Sequence, residues 1–183
     1  MKRIILTGLV AAAALALTAH SAEAKDMTGW IVSGGAVADG SGFNLYNTDQ
    51  KGFLDYKDRA GVNLGWTAAA PKNVTFQRQA GAGPMKCNDV FALKVGNSYS
   101  TYEKGSTFSI GISLKMSSTF NQDAFQWKFA CAAGQDVPSD QPVTLVNVRV
   151  NDSVVGCKRP SGVNLCFAND VESRLGVNIR KRL

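Results

Sequence analysis

From Phe43 onward the chain alternates apolar and polar residues with a period of two, interrupted every few residues by turn formers. Such alternation sends successive side chains to opposite faces of a strand, so it predicts short β-strands buried on one side. Phe43 and Leu45 alternate with Asn44 and Tyr46, and Leu54 and Tyr56 with Asp55 and Lys57. Val62, Leu64 and Trp66 follow, then Val74 and Phe76, with turns over Asn47 to Gly52 and Asp58 to Gly61. The plan returns as Phe91, Leu93 and Val95, then Tyr99 to Tyr102, Ile110 to Met116, and Phe125, Trp127 and Phe129. It returns again as Val146, Val148 and Val150, then Val154-Val155, Val163 to Phe167, and Leu175, Val177 and Ile179. No run beyond a few residues carries a helical period, so the expected class is all-β.

One stretch states the repeat almost literally. Gly61-Val62-Asn63-Leu64-Gly65-Trp66 comes back 101 residues later as Gly162-Val163-Asn164-Leu165-Cys166-Phe167, and half that offset lands on Ile112 to Met116. Self-similarity at a fixed period marks a repeated supersecondary unit. Three four-stranded units follow, at about 30–80, 85–134 and 135–183, separated by Ala80–Pro84 and Gly134–Pro142. Strands of this length repeated threefold fit a closed barrel capped by hairpins. A β-sandwich or jelly roll is the alternative, and the near-identity of the units counts against it.

Ahead of the repeat, residues 1–24 have the form of an export leader. Lys2 and Arg3 precede an apolar stretch from Ile4 to Ala19, and Ala22-Glu23-Ala24 forms a small-residue cleavage site. The apolar run is shorter than the ~18 residues a spanning helix needs, so no stable membrane insertion is expected. Its alanine-rich style resembles bacterial leaders, which makes the periplasm or the external medium the expected destination. Cleavage after Ala24 leaves 159 residues (25–183), enough for one domain with a sizeable core. Losing Lys2, Arg3 and Glu23 takes the formal charge from +6 to +5. That charge is scattered, with Arg180-Lys181-Arg182 as the one basic cluster, and no nucleic-acid module accompanies it. Nucleic acid is not an expected partner.

Missing chemistry narrows the function further. The single histidine, His20, lies in the leader, so the mature chain can run neither Ser-His nor Cys-His catalysis and has no imidazole for zinc. There is no phosphate-binding loop and no dinucleotide fingerprint. Asp136 to Asp140 lacks the ligand pattern of a calcium loop. The mature glutamates are Glu103 and Glu172, and the aspartates stand mostly in turns, where Asx hydrogen bonding accounts for them. No catalytic centre, metal or cofactor is expected. Four cysteines remain, Cys87, Cys131, Cys157 and Cys166, an even number that implies up to two disulfides in one of three pairings.

Three four-stranded units of this length resemble the β-trefoil, the fold of ricin-B-type lectins, Kunitz-type protease inhibitors and fascin-like proteins. The resemblance covers the mature chain and rests on the repeat and the strand pattern. In that fold the first and fourth strands of a unit are antiparallel neighbours. The resemblance therefore implies a Cys87–Cys131 disulfide within unit two and a Cys157–Cys166 disulfide across the hairpin of unit three.

It also implies a non-catalytic recognition module, with a glycan as the first expected partner. Sugar binding needs an aromatic face, and Asp or Asn to meet the hydroxyls. Asp55, Asp58, Asn63 and Trp66 with Tyr46 or Tyr56 are the candidates in unit one, with Arg159, Asn164 and Phe167 at the matching places in unit three, and Tyr99, Tyr102 and Glu103 in unit two. Trp66 lies in the apolar phase, which favours a core role, whereas Tyr46 in the polar phase is the better exposed aromatic. The Q-x-W pattern of the lectins is absent: Phe76-Gln77-Arg78 and Gln126-Trp127-Lys128 stand at about its places, so a standard sugar site does not carry over. A Kunitz-like inhibitor is the second expectation, with Arg59 or Arg159 on a hairpin tip facing a trypsin-like target. Against it, Cys87 falls in unit two, and Ile31 to Gly35 lacks the inhibitors' opening pattern. A protein partner in an exported or periplasmic assembly is the third.

Overall fold

Trp30–Ser33 forms strand β1 and Gly42–Asn47 forms β2; the hairpin β3 (Gly52–Arg59) and β4 (Val62–Thr67) leads to β5 (Val74–Arg78). The same order recurs as β6 (Phe91–Val95), β7 (Ser98–Glu103), β8 (Ser113–Ser117) and β9 (Phe125–Ala130), then begins again as β10 (Pro142–Asn147), β11 (Asp152–Gly156) and β12 (Leu165–Phe167). This computed structural model describes residues 29–59, 62–81, 83–103, 113–156 and 165–168. Antiparallel pairing joins β1 to β2, β2 to β5, β5 to β6, β6 to β9, β9 to β10, and β10 back to β1. Six strands thus close a barrel, which removes the free edges an open sheet would carry. The remaining strands form three hairpins, β3–β4, β7–β8 and β11–β12, each continuing from a barrel strand. The all-β expectation holds, and the sheet closes on itself instead of splitting into two facing layers.

The sequence pattern did not mark β1. Only four residues long, it lies between β10 and β2 and closes the ring. The pattern also set the first strand of unit three too late: β10 ends at Asn147, with Val143 and Leu145 buried in the core, while Val148 and Val150 fall in the turn that Asn147 Oδ1 holds. Leu175 to Ile179, expected as the last strand of unit three, lies outside the described residues.

Register lines up matching positions around the three hairpins. Phe43 faces Val74, Phe91 faces Trp127, and Val143 faces Trp30. One strand further on, Trp30 pairs with Asn47, Val74 with Val95, and Trp127 with Asn147. The inward positions follow: Phe43, Phe91 and Val143, then Leu45, Leu93 and Leu145 with Val32, Phe76 and Phe129 directly across from them, all at most 2% exposed. The Phe76 ring lies 5.5, 4.9 and 5.2 Å from those of Phe43, Phe91 and Phe129, in the stacked or edge-to-face geometries aromatic quadrupoles prefer. One residue from each loop between units is also buried: Val37, Met85 and Val137. Backbone bonds link them, Met85 N–H to the Val37 carbonyl and Val137 N–H to the Met85 carbonyl, each 2.8 Å.

Two indoles mark the correspondence at the hairpin end. Trp127 of β9 donates its ring N–H to the Ser100 carbonyl of β7 at 2.8 Å. Trp30 of β1 donates to the Val154 carbonyl of β11 at 2.7 Å. Ser100 and Val154 hold matching hairpin positions, so β1 stands to the third hairpin as β9 stands to the second. Gly156, at the end of β11, meets the turn after β2: a Cβ there would lie 2.7 Å from Asn47 Oδ1 and 2.9 Å from Asp49 Cβ. That turn is held by Asn47 Oδ1, which accepts from the N–H groups of Asp49 and Gln50 at 3.1 and 2.9 Å. Asn147 repeats the device with Arg149 and Val150.

Between β5 and β6 the chain is pinned by a buried guanidinium. Arg78 donates to the carbonyls of Gly83 (2.8 Å) and Pro84 (3.2 Å) and pairs with Asp89. Buried cations persist when paired and hydrogen-bonded, and this one organises the loop that carries Cys87. Cys87 bonds to Cys131 at a Cα separation of 5.2 Å, the expected pairing. Cys166 is also disulfide-bonded, and its expected partner Cys157 lies outside the described residues.

Candidate recognition surface

The outward-facing side chains at the base of each hairpin are where the units differ. In unit one Tyr46 of β2 lies directly across from Phe53 of β3, with ring centroids 5.1 Å apart in an edge-to-face arrangement. Both rings are half-buried. Asp55 and Lys57 follow Phe53 at every second position and so share its face of the strand. Lys57 Nζ donates to Asp55 Oδ2 at 2.8 Å, and the Asn73 amide donates to Asp55 Oδ1. Partial burial pushes the Asp55 carboxyl up, but the bonds from Lys57 and Asn73 and the nearby ammonium outweigh it, and the pKa is held below its ordinary value. Opposite Asp55 sits Gly65, and Lys57 lies across it; a Cβ there would be 2.7 Å from Lys57 Cγ. The absence of a side chain at residue 65 is what lets Lys57 reach the carboxylate.

In unit two the corresponding pair is Lys94 and Tyr99. Lys94 Nζ stands 5.5 Å from the centroid of the Tyr99 ring. The Tyr99 hydroxyl donates to Gln77 Oε1 at 3.0 Å, and its ring meets Phe120 at 5.2 Å. Phe120 in turn meets Phe125 at 5.3 Å. Phe125 reaches this face because β9 carries one extra residue against β6: Phe91 pairs with Trp127, but Ala92 pairs with Phe125. A bulge of this kind reverses the phase of the strand beyond it. The sequence pattern had placed Phe125 with Trp127 and Phe129 in one apolar phase; Trp127 and Phe129 are buried in the core, while Phe125 is half-exposed outside it. Gln126, the extra residue, accepts the Tyr102 N–H at 2.8 Å and the Asn147 amide at 3.3 Å, tying the second hairpin to the third unit. Unit three has Val146 and Ser153 at the matching places and offers no aromatic there.

Of the residues singled out from sequence, Tyr46 and Asp55 are brought to one surface. Trp66 is not with them. It pairs with Leu54, one position out of phase with Asp55, and its ring lies 6.2 Å from that of Trp30 against the core. Its buried ring N–H has no hydrogen-bond partner among the described residues. Asp58 belongs to β3 and Asn63 to β4, but their side chains lie outside the described set, as do Arg159 and Asn164 altogether. Phe53, Lys57, Asn73, Lys94, Phe120 and Phe125 were missed. Phe53 was legible, since it shares the strand phase of Asp55 and Lys57; Phe125 was not, because a bulge leaves no mark in a period-two pattern. Among the described residues no group of three His, Cys, Asp or Glu side chains could hold a metal ion. No helix among them is long and apolar enough to cross a membrane. No family model, curated protein or solved structure matches this chain.

Proposed function

We propose that this chain is an exported β-trefoil that binds carbohydrate on its outer surface and performs no catalysis. The trefoil reading is supported by three corresponding hairpins around a six-stranded barrel, with β1 serving as the twelfth strand from the opposite end of the chain. Export is supported by the leader-like residues 1–24 and by a Cys87–Cys131 disulfide, a bond that persists in oxidising compartments.

The observation that carries the sugar reading is the outer face of unit one. Tyr46 and Phe53 offer an apolar edge for the C–H face of a pyranose ring, and Asp55 beside them is an ionised acceptor for hydroxyl groups. Lys57 and Asn73 fix the carboxylate's position, so little side-chain ordering remains to oppose binding.

The test is a glycan array with the oxidised protein collected after export by its own leader. Saturable binding that free sugar displaces is expected. Tyr46→Ala and Phe53→Ala should lose it while keeping the circular dichroism of the parent. A blank array with folded protein refutes the reading.

A further inference from the structure

We infer that the outer face of unit two is a second sugar subsite, selective for an acidic glycan bearing a carboxylate or sulfate. This inference rests on the carbohydrate reading of unit one. Where unit one sets Tyr46 against Phe53, unit two sets Lys94 against Tyr99 in the same register. The charge beside the aromatic platform therefore differs. Unit one places a carboxylate already paired with Lys57 next to its rings, which leaves no net charge there; unit two places an ammonium over its ring. No carboxylate among the described residues pairs with Lys94, so its charge is left for a ligand. The positive charge of the chain as a whole favours the same sign of partner.

The platform itself is built for a ring. Tyr99, Phe120 and Phe125 form a continuous half-exposed aromatic run, and the bulge at Gln126 is what brings Phe125 into it. The Tyr99 hydroxyl is anchored to Gln77, which holds the ring at a fixed tilt beneath Lys94 and leaves the Gln77 amide N–H groups outside that bond. A sugar stacked on Phe120 and Tyr99 would present an equatorial acid group to Lys94 and a hydroxyl to Gln77. Both contacts are absent from unit one.

The decisive experiment uses uronate-, sialate- and sulfate-bearing oligosaccharides, each matched with its uncharged counterpart, against the parent protein and two variants. The parent should bind at least one acidic member more tightly than its neutral counterpart, with the advantage shrinking as salt rises. Lys94→Gln should weaken that acidic member about fivefold, the size of one partly exposed charge contact. Phe120→Ser should weaken it as well, while neutral-glycan binding through Tyr46 and Phe53 stays unchanged in both variants. Equal binding of acidic and neutral members, or acidic binding indifferent to Lys94→Gln, overturns this subsite and leaves the unit-one reading standing. Displacement of the acidic member by a polyaspartate peptide but not by free acidic sugar also overturns it, assigning the face to a protein. Failure of every glycan, neutral and acidic, overturns both readings.

Discussion

Replacing Trp30 by phenylalanine tests whether β1 is a true stave of the barrel. The side chain is fully buried, and its ring N–H bonds to the Val154 carbonyl 124 residues away. The substitution keeps an aromatic ring but removes that donor and part of the indole. The lost hydrogen bond accounts for about 1 kcal/mol, and the void left in a core that relaxes only partly for about 1–2 kcal/mol more. A total of about 2–3 kcal/mol is expected. Trp127→Phe is the internal standard, because it removes the matching bond to Ser100 at 2.8 Å from a residue 2% exposed. Urea unfolding followed by far-ultraviolet circular dichroism measures both, provided the slope with denaturant is unchanged. The two variants should fall within about 1 kcal/mol of each other. If Trp127→Phe shows the full loss and Trp30→Phe less than about 0.5 kcal/mol, β1 does not close the ring and the correspondence between the units fails.

Removing the unit-two disulfide in a Cys87→Ala/Cys131→Ala double variant frees a loop spanning 44 residues and should reduce stability by ~4 kcal/mol in the chain-entropy limit, read as a lowered unfolding midpoint. Gly156→Ala drives a methyl group into the Asn47–Gln50 turn and should destabilise by about 1–3 kcal/mol, whereas Gly134→Ala, with nothing within 4 Å, serves as a strain-only control. Asp55 gives a pH signature. Its pKa in the fold lies below the ordinary 3.8, so its contribution is complete above that pH and disappears as pH falls through the depressed value. Stability measured from pH 6 to 2 should therefore fall less steeply below pH 4 in Asp55→Asn than in the parent; identical slopes would refute the pairing with Lys57 and Asn73.

Local pattern reached most of the barrel because each strand from β2 to β9 is short, alternating and bounded by turn residues. The Cys87–Cys131 bond was legible for the same reason, once first and fourth strands were taken as neighbours. Pattern could not reach β1. Trp30-Ile31-Val32-Ser33 runs straight into Gly34-Gly35, and its partners on both sides are decided by closure with β10, more than a hundred residues on. At the surface, period two already puts Trp66 in the apolar phase, and the register agrees: Asp55 lies across from Gly65 and Trp66 across from Leu54, on the other face. The position of Phe125 needed the structure, because its phase depends on one added residue that can be recognised only against the facing strand.

The three units share an interior and differ outside it. Inside, the sizes differ between units: where units two and three use Trp127 and Trp30, unit one has Val74. Unit one alone puts a tryptophan, Trp66, on its hairpin, packed against the core 6.2 Å from the Trp30 ring. Met116 and Phe167 hold the places that correspond to Trp66 and fill them with less bulk or a different shape. Packing of this kind accepts hydrophobic exchange as long as the total is preserved. Outside, no such sum applies, and the corresponding pairs read Tyr46 with Phe53, Lys94 with Tyr99, and Val146 with Ser153. An aromatic platform survives in two units, with a carboxylate at one and an ammonium at the other. In the proposed reading, what distinguishes the two platforms is the paired Asp55 at one and, at the other, the Lys94 ammonium, unpaired among the described residues, while the barrel beneath fixes only where they stand.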